Sequence, residues 1–180
     1  MSVKPTRSLT GIQLITNRPV DQFLHRLAAT QSPISHLVII SPFIGPLNHV
    51  RFKLERLVKK IDDSKIITYV ITNEPPPNSP NHSEAINILS GSRFIEIRYN
   101  ESLHAKVYVC QGNGAGFAML GSGNLTDTSI NQKIEVGVLI NERGGTGPLF
   151  QELYRWGTER LRTVRGSKIV KRAEYIQSGR

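Results

Sequence analysis

Cysteine is nearly absent from this chain. Its 180 residues include one cysteine, Cys110, which permits no disulfide bond within the chain. Cys110 ends a run of apolar residues, so we expect it to be a small residue of the core. No hydrophobic run approaches the length of a membrane span, and the residues after Met1 lack the apolar centre of a signal peptide. These absences favour a cytoplasmic protein that does not associate with a membrane.

Acidic residues are scarce as well. The chain has 14 aspartates and glutamates against 23 lysines and arginines, which gives a net charge of +9 and points to a polyanionic partner. In residues 155–180, eight basic residues less two acidic ones leave +6 of that +9. A charge run can be a merely solvated surface, but here we predict contacts with the phosphate backbone of DNA that do not read base sequence. The predicted contact residues are Arg155, Arg160, Arg162, Arg165, Lys168, Lys171 and Arg172.

The sequence contains no internal repeat and no low-complexity tract. Its length suffices for one well-buried domain and is short for two. We therefore assign residues 1–166 to one domain. Residues 167–180 form a basic C-terminal tail that we expect to extend from the domain or to lead into another one.

Helical and strand periodicities alternate along the chain. Apolar spacing predicts helices over 20–29, 47–61, 83–89 and 148–164, and strands over 36–40, 65–72, 93–98, 104–109, 117–120 and 133–140. This alternation implies an α/β fold, with a mixed β-sheet flanked by helices on both faces.

Spacings typical of metal ligands are missing. The four histidines other than His104 are scattered, and we expect none of them to bind a metal. Asp63-Ser-Lys65 has the acid-x-Lys form found in some magnesium nucleases, but no matching upstream aspartate accompanies it. The sequence therefore predicts neither a metal nor another cofactor.

Two short polar motifs stand out against this background. His104 and Lys106 fall in an apparent strand, where residues two apart point to the same face. Ser122 and Asn124, also two apart, follow the strand 117–120. Glycines between the two strands suit a hairpin, which would bring the four side chains together. Ser122 and Asn124 could instead be ordinary turn residues.

The order His-x-Lys, then Gly-Ser-x-Asn, then Glu135 resembles the phospholipase D superfamily. The stretch from Gly121 to Ile140 looks most like its nuclease branch, including the catalytic domains of metal-independent restriction endonucleases. Gln111 stands where the superfamily usually has an aspartate, and the chain carries one His-x-Lys element where the large lipases carry two.

This resemblance implies a phospholipase D-like fold and an endonuclease that forms a covalent phosphohistidine at His104. Lys106, Asn124 and Ser122 would stabilise charge on the phosphate oxygens. Glu135 would hold the far nitrogen of an imidazole ring. With one His-x-Lys element, the second imidazole would come from another copy of the chain, in a homodimer that shares its active site.

Three alternatives stay open. The first is a phospholipid hydrolase of the same superfamily, the second a non-catalytic basic module that binds DNA, and the third a magnesium-dependent nuclease. Nothing in the sequence resembles a device that reads bases, so any sequence specificity would require another domain or subunit.

Overall fold

Residues 11–48, 51–113, 115–143 and 146–174 are described by the computed structural model, and within them the chain forms one eight-stranded sheet. The strand order is β1-β7-β6-β5-β2-β3-β4-β8. Strands β2, β3 and β4 run parallel, and all other neighbours are antiparallel. The strands are β1 Ile12–Ile15, β2 Ile34–Ile40, β3 Ile67–Thr72, β4 Ile95–Tyr99, β5 Val107–Gly112, β6 Phe117–Gly121, β7 Gly137–Asn141 and β8 Lys168–Lys171.

Helices cover both faces of this sheet, which confirms the predicted mixed α/β architecture. They are α1 Pro19–Ala29, α2 Leu54–Ser64, α3 Pro80–Ser90, α4 Asp127–Asn131, α5 Gly147–Arg155, a π-helical turn Trp156–Arg160 and α6 Leu161–Thr163. Apolar residues of α1, α2 and α3 form the core on one face. Phe150 of α5 packs on the other face, beside the partly buried Trp156 and Leu161. Cys110 is buried as expected, and burial raises the pKa of its thiol to about 12.

Helix α2 begins later than apolar spacing predicts. Leu47 is fully buried, yet its φ of 59° places it in the left-handed region outside any helix. The helix begins only at Leu54, whose amide donates to the carbonyl oxygen of Pro46 (3.3 Å). Leu47 is buried although it lies in a loop, and its apolar spacing from the residues of α2 led to the prediction that the helix begins there.

The predicted strands 104–109 and 133–140 are also too long at their starts. Val107 pairs with Ile40, the last residue of β2. Pro42, two residues later, has no amide hydrogen with which to continue the ladder. Strand β7 begins at Gly137, opposite the end of β6. Residues 104–106 and 133–136 consequently lie in loops.

The chain after Gly166 does not simply extend away as a tail. Residues 168–171 form β8, which pairs antiparallel with β4 at the edge of the sheet. The predicted domain boundary at residue 166 therefore falls before the last strand. Residues 175–180 of the predicted tail lie outside the described residues.

Candidate active site

The motif residues all lie in loops at one end of the strands, where β6 stops and β5 and β7 begin. Gly121, which ends β6, pairs with Gly137, which begins β7, and its amide donates to the carbonyl oxygen of Lys106 (3.2 Å) just before β5. The carboxyl ends of β2 and β3 lie at the same end of the sheet, because Ile40 pairs with both Val107 and Ile71. The topology thus brings together segments that are far apart in sequence.

His104 and Lys106 lie in the loop that enters β5. The expectation that strand alternation points them to one face is therefore wrong. Instead, the Lys106 ammonium donates to the backbone carbonyl oxygen of His104 (2.9 Å), which folds the lysine back over the loop. The His104 side chain is exposed, as a nucleophile for an external phosphate must be.

Ser122 and Glu135 are in direct contact. The Ser122 hydroxyl donates to the Glu135 carboxylate and accepts a hydrogen bond from the amide of Val136 (3.1 Å). Since a hydroxyl has one proton, this pairing uses the only donor of Ser122. Ser122 is therefore placed to position Glu135 rather than to bind a phosphate oxygen.

Asn124 has contacts that the sequence motifs did not indicate. Its side-chain amide oxygen lies 3.5 Å from the Ser41 hydroxyl, and its backbone amide donates to the Ser129 hydroxyl (3.2 Å). Ser41 is fully buried at the end of β2 and also accepts from the amide of Leu125 (3.0 Å). The Ser41 hydroxyl gives its single proton to the carbonyl oxygen of Phe43 (2.6 Å), so the backbone contacts hold the position of Asn124, and its side-chain amide keeps a nitrogen donor suited to an anion.

The turn after β6 requires its glycines. A Cβ atom on Gly121 would lie 2.4 Å from the carbonyl oxygen of Val136. A Cβ on Gly123 would lie 2.9 Å from Cγ2 of Val20. The hydroxyl of Tyr108 donates to the carbonyl oxygen of Gly123 (2.9 Å), and complete burial raises the pKa of this phenol far above its usual value. Contacts with buried residues such as Tyr108 and Val20 thus hold the turn that carries Ser122 and Asn124 in place.

A cavity of about 390 Å³ opens beside Asn124 and Glu135. His82, on α3, lines it and is 2% exposed. Its Nε2 pairs with the hydroxyl of Thr72 (3.1 Å), whereas Nδ1 has no hydrogen-bond partner among the described residues. Burial lowers the pKa of His82, so its ring is neutral at pH 7. The scattered spacing of the histidines along the sequence gave no sign of this residue.

Two of the seven predicted DNA-contact residues are engaged inside the protein. The Arg162 guanidinium donates to both carboxylate oxygens of the buried Glu96 (2.8 and 2.9 Å) and lies over the Tyr69 ring. The Lys171 ammonium donates to the backbone carbonyl oxygens of Ser92 and Ile95 (2.5 and 2.8 Å), and burial lowers its pKa. Both side chains therefore have hydrogen-bond partners within the fold, which the prediction of phosphate contacts did not include. The exposed members of the set are Arg155, Arg160, Arg165, Lys168 and Arg172.

Comparison with known protein families decides the identity of the fold. The family model described as cardiolipin synthase, PLD-like domain, matches residues 23–156, well over half of the chain. The chain belongs to the phospholipase D-like family. The expected superfamily is confirmed, and with it, at the level of the family, the expectation of a phosphodiesterase. A comparison with curated protein sequences gives no significant match.

Solved structures similar to this phospholipase D-like chain have little sequence identity with it. Nuc from Salmonella typhimurium, a phospholipase D family member, is 15% identical with a TM-score of 0.64 over 89% of this chain and 99% of its own. NucT from Helicobacter pylori is 9% identical with a TM-score of 0.57 over 88% and 98%. TrmBL2, an archaeal chromatin protein, is 13% identical with a TM-score of 0.51 over 94% and 57%. At such identities these likenesses establish the fold alone.

Within the described parts of this phospholipase D-like chain, no three histidine, cysteine, aspartate or glutamate side chains cluster as metal ligands would. In the same residues, no helix has the length and apolar content needed to cross a bilayer.

Proposed function

We propose that this protein is a DNA endonuclease that hydrolyses phosphodiesters through a phosphohistidine, without a metal cofactor, at an active site shared by two copies of the chain. One observation carries this proposal: the motif residues come together at one end of the strands. The loop of His104 and Lys106 contacts the Gly121 turn, which is followed by Asn124 and the Ser122–Glu135 pair. We further propose that the protein acts in the cytoplasm.

In the first step, a ring nitrogen of His104 attacks phosphorus and the bond to the leaving oxygen breaks. That oxygen takes a proton from a second imidazole. In the second step, water attacks the phosphohistidine and gives its proton to the same imidazole. The nitrogen–phosphorus bond then breaks, which restores both rings.

The ammonium of Lys106 and the amide of Asn124 stabilise the negative charge that grows on the phosphate oxygens. Lys106 would exchange its bond to the His104 carbonyl oxygen for a phosphate oxygen when substrate binds. Glu135, held by the Ser122 hydroxyl, accepts the far N–H of an imidazole and fixes its tautomer. Ser122 thereby acts through Glu135, and this differs from the role that the sequence resemblance implied.

The second imidazole is proposed to be His104 of the partner subunit. A two-fold axis beside the exposed His104 would set both rings on one phosphate. Two imidazole rings on one phosphate can share one proton, so that one attacks while the other donates.

DNA as substrate is supported by the net charge of +9 and by the exposed arginines and lysines near the C-terminus. TrmBL2, whose fold is similar to this one, has a novel mode of DNA binding. Likeness to restriction endonucleases remains part of the proposal, with sequence specificity supplied by another domain or subunit.

A phospholipid hydrolase is a second candidate. Ile134 is fully exposed and Val136 is 46% exposed on either side of Glu135, so apolar side chains flank the site. A lipid substrate would bring acyl chains to such a surface.

Cleavage assays in excess chelator distinguish these functions. Wild-type protein should cut plasmid and oligonucleotide DNA, and His104→Ala should not. Hydrolysis of phospholipid vesicles without DNA cleavage would favour the lipase. Retained DNA binding with cleavage by neither protein would favour a non-catalytic module, and loss of wild-type cleavage on chelation would favour magnesium chemistry.

Subunit mixing tests the shared site. Co-expressed, differently tagged chains would be purified as dimers with one wild-type and one His104→Ala subunit. These dimers should be inactive if both rings act on one phosphate. Half of the wild-type activity would show instead that each chain has a complete site.

A further inference from the structure

The cavity beside Asn124 and Glu135 is larger than a site for one phosphate requires. Its volume of about 390 Å³ falls in the range of pockets that hold small molecules, roughly 300–1,000 Å³. Its walls come from the loop after β2, the start of α3, the segment around α4 and the loop before β7. The lining residues that matter for a ligand are Phe43, Asn81, His82, Thr126, Asp127 and Lys133.

Phe43 forms the rim of this cavity. Its side chain is 43% exposed, although most large apolar residues of the sheet are buried. The ring packs edge-on against His82, with centroids 5.8 Å apart, and the Phe43 carbonyl oxygen accepts from the Ser41 hydroxyl (2.6 Å). Phe43 also borders a second hollow, beside Pro75. An exposed aromatic ring held from its edge and its backbone is suited to stack on a planar ligand.

His82, which lines the same cavity, has a buried ring nitrogen without a hydrogen-bond partner among the described residues. A buried polar atom without a partner destabilises a protein unless a ligand or water satisfies it. Thr72 donates its single proton to the carbonyl oxygen of Pro42 (3.1 Å), so Nε2–H of His82 donates to Thr72 and Nδ1 of the neutral ring is an acceptor. The neighbouring side chains Asn81 and Thr126 offer further donors and acceptors.

The charge of the lining disfavours an anion. Asp127 and Glu135 line the cavity together with one lysine, Lys133, so acidic side chains outnumber basic ones there. Carboxylates repel phosphate but accept hydrogen bonds from the amino and imino groups of nucleobases. The cavity therefore fits a neutral, planar and polar ligand better than it fits a second phosphate.

We infer that this cavity binds an unpaired nucleobase of the strand being cleaved, stacked on Phe43 next to the scissile phosphate. This inference rests on the proposed nuclease function, because Asn124 and Glu135 are common to the site and the cavity. A base paired in a duplex would have to leave its stack to enter. Single-stranded or locally unpaired DNA is therefore the preferred substrate.

The test compares Phe43→Ala and Phe43→Trp with the wild type in excess chelator. Loss of one base stack should raise KM for a single-stranded oligonucleotide roughly 5- to 100-fold in Phe43→Ala, and Phe43→Trp should restore it. Leu149→Ala, a change at a similarly exposed apolar residue on α5, serves as the matched control and should leave KM unchanged. Duplex cleavage should be slower than single-strand cleavage in the wild type.

Oligonucleotides with one abasic position locate the stacked base. In a His104→Ala background, an abasic site next to the scissile bond should weaken binding when Phe43 is present, and have no further effect when Phe43 is alanine. If the abasic position weakens binding equally with and without Phe43, the base subsite is refuted. An unchanged KM for Phe43→Ala, with active wild-type protein, would refute it as well. Either result would leave the proposed nuclease function standing. A wild-type protein that neither binds nor cleaves DNA would overturn the proposed function as well.

Discussion

Replacing Arg162 by methionine should destabilise the protein by about 3 kcal/mol. Arg162 donates two hydrogen bonds to Glu96, whose side chain is 4% exposed, and each charge-assisted bond contributes roughly 1.5–3 kcal/mol. The gross loss of roughly 3–6 kcal/mol is reduced because Arg98 still donates to Glu96 (2.8 Å), and because Arg162 is 27% exposed and water can enter. In a protein of this size, such a loss lowers Tm by roughly 6–12 °C.

The pH dependence of this variant follows from Glu96. Burial alone would raise the pKa of Glu96, but hydrogen bonds from Arg162 and Arg98 outweigh it and leave the pKa lowered. The ion pair therefore contributes fully above the ordinary glutamate pKa of about 4.3, and its contribution is lost as pH falls through the lower folded-state pKa. The difference in Tm between wild type and variant should accordingly shrink below about pH 4.

Thermal and urea unfolding at pH 7 and pH 3.5 measure both effects. Arg160→Met is the matched control, since Arg160 is 67% exposed and its ion pair is with the exposed Glu152 (3.4 Å). It should change the free energy of unfolding by less than about 0.5 kcal/mol. Equal stability of the two variants, with DNA affinity lost only in Arg162→Met, would refute the structural role of Arg162 and restore it as a phosphate contact.

Three further predictions concern the site and the basic surface. Ser122→Ala should lower kcat about 10- to 100-fold with little change in KM, because Glu135 loses the hydroxyl that positions it; a larger rise in KM would contradict this role. Gly121→Ala should destabilise the fold by about 1–3 kcal/mol in urea titrations, since its Cβ would overlap the Val136 carbonyl oxygen, and unchanged stability would contradict that geometry. Lys168→Ala should reduce the slope of log K for DNA binding against log salt concentration by about one, whereas Lys171→Ala should lower the free energy of unfolding. Equal salt slopes for wild type and Lys168→Ala would exclude a phosphate contact at Lys168.

The architecture could be predicted from periodicity because each face of the sheet has its own apolar helices. Phe23, Leu24 and Leu27 repeat at helical spacing in α1, and the run from Leu37 to Ile40 is a fully buried strand. Strand ends were harder to predict. Where β5 begins depends on where β2 ends, 67 residues earlier, and local pattern does not contain that information.

The motif residues could be found because their types and order are specific, but their contacts could not. The Ser122 proton goes to Glu135, a pairing that depends on the register of β6 and β7. Charge counting likewise could not find the partners of Arg162 and Lys171 within the fold, because a cation beside a buried carboxylate or carbonyl group has the same sequence signal as an exposed one. His82 enters the cavity through the packing of α3, which no short motif indicates.

Direct detection of the covalent intermediate tests the central claim. A ³²P-labelled oligonucleotide would react with the protein in excess chelator, with quenching in alkali to preserve phosphohistidine, followed by peptide mapping. We predict label on the peptide that contains His104, and none on protein that carries His104→Ala. Continued cleavage with no label on the protein, or with label on another residue, would contradict the mechanism.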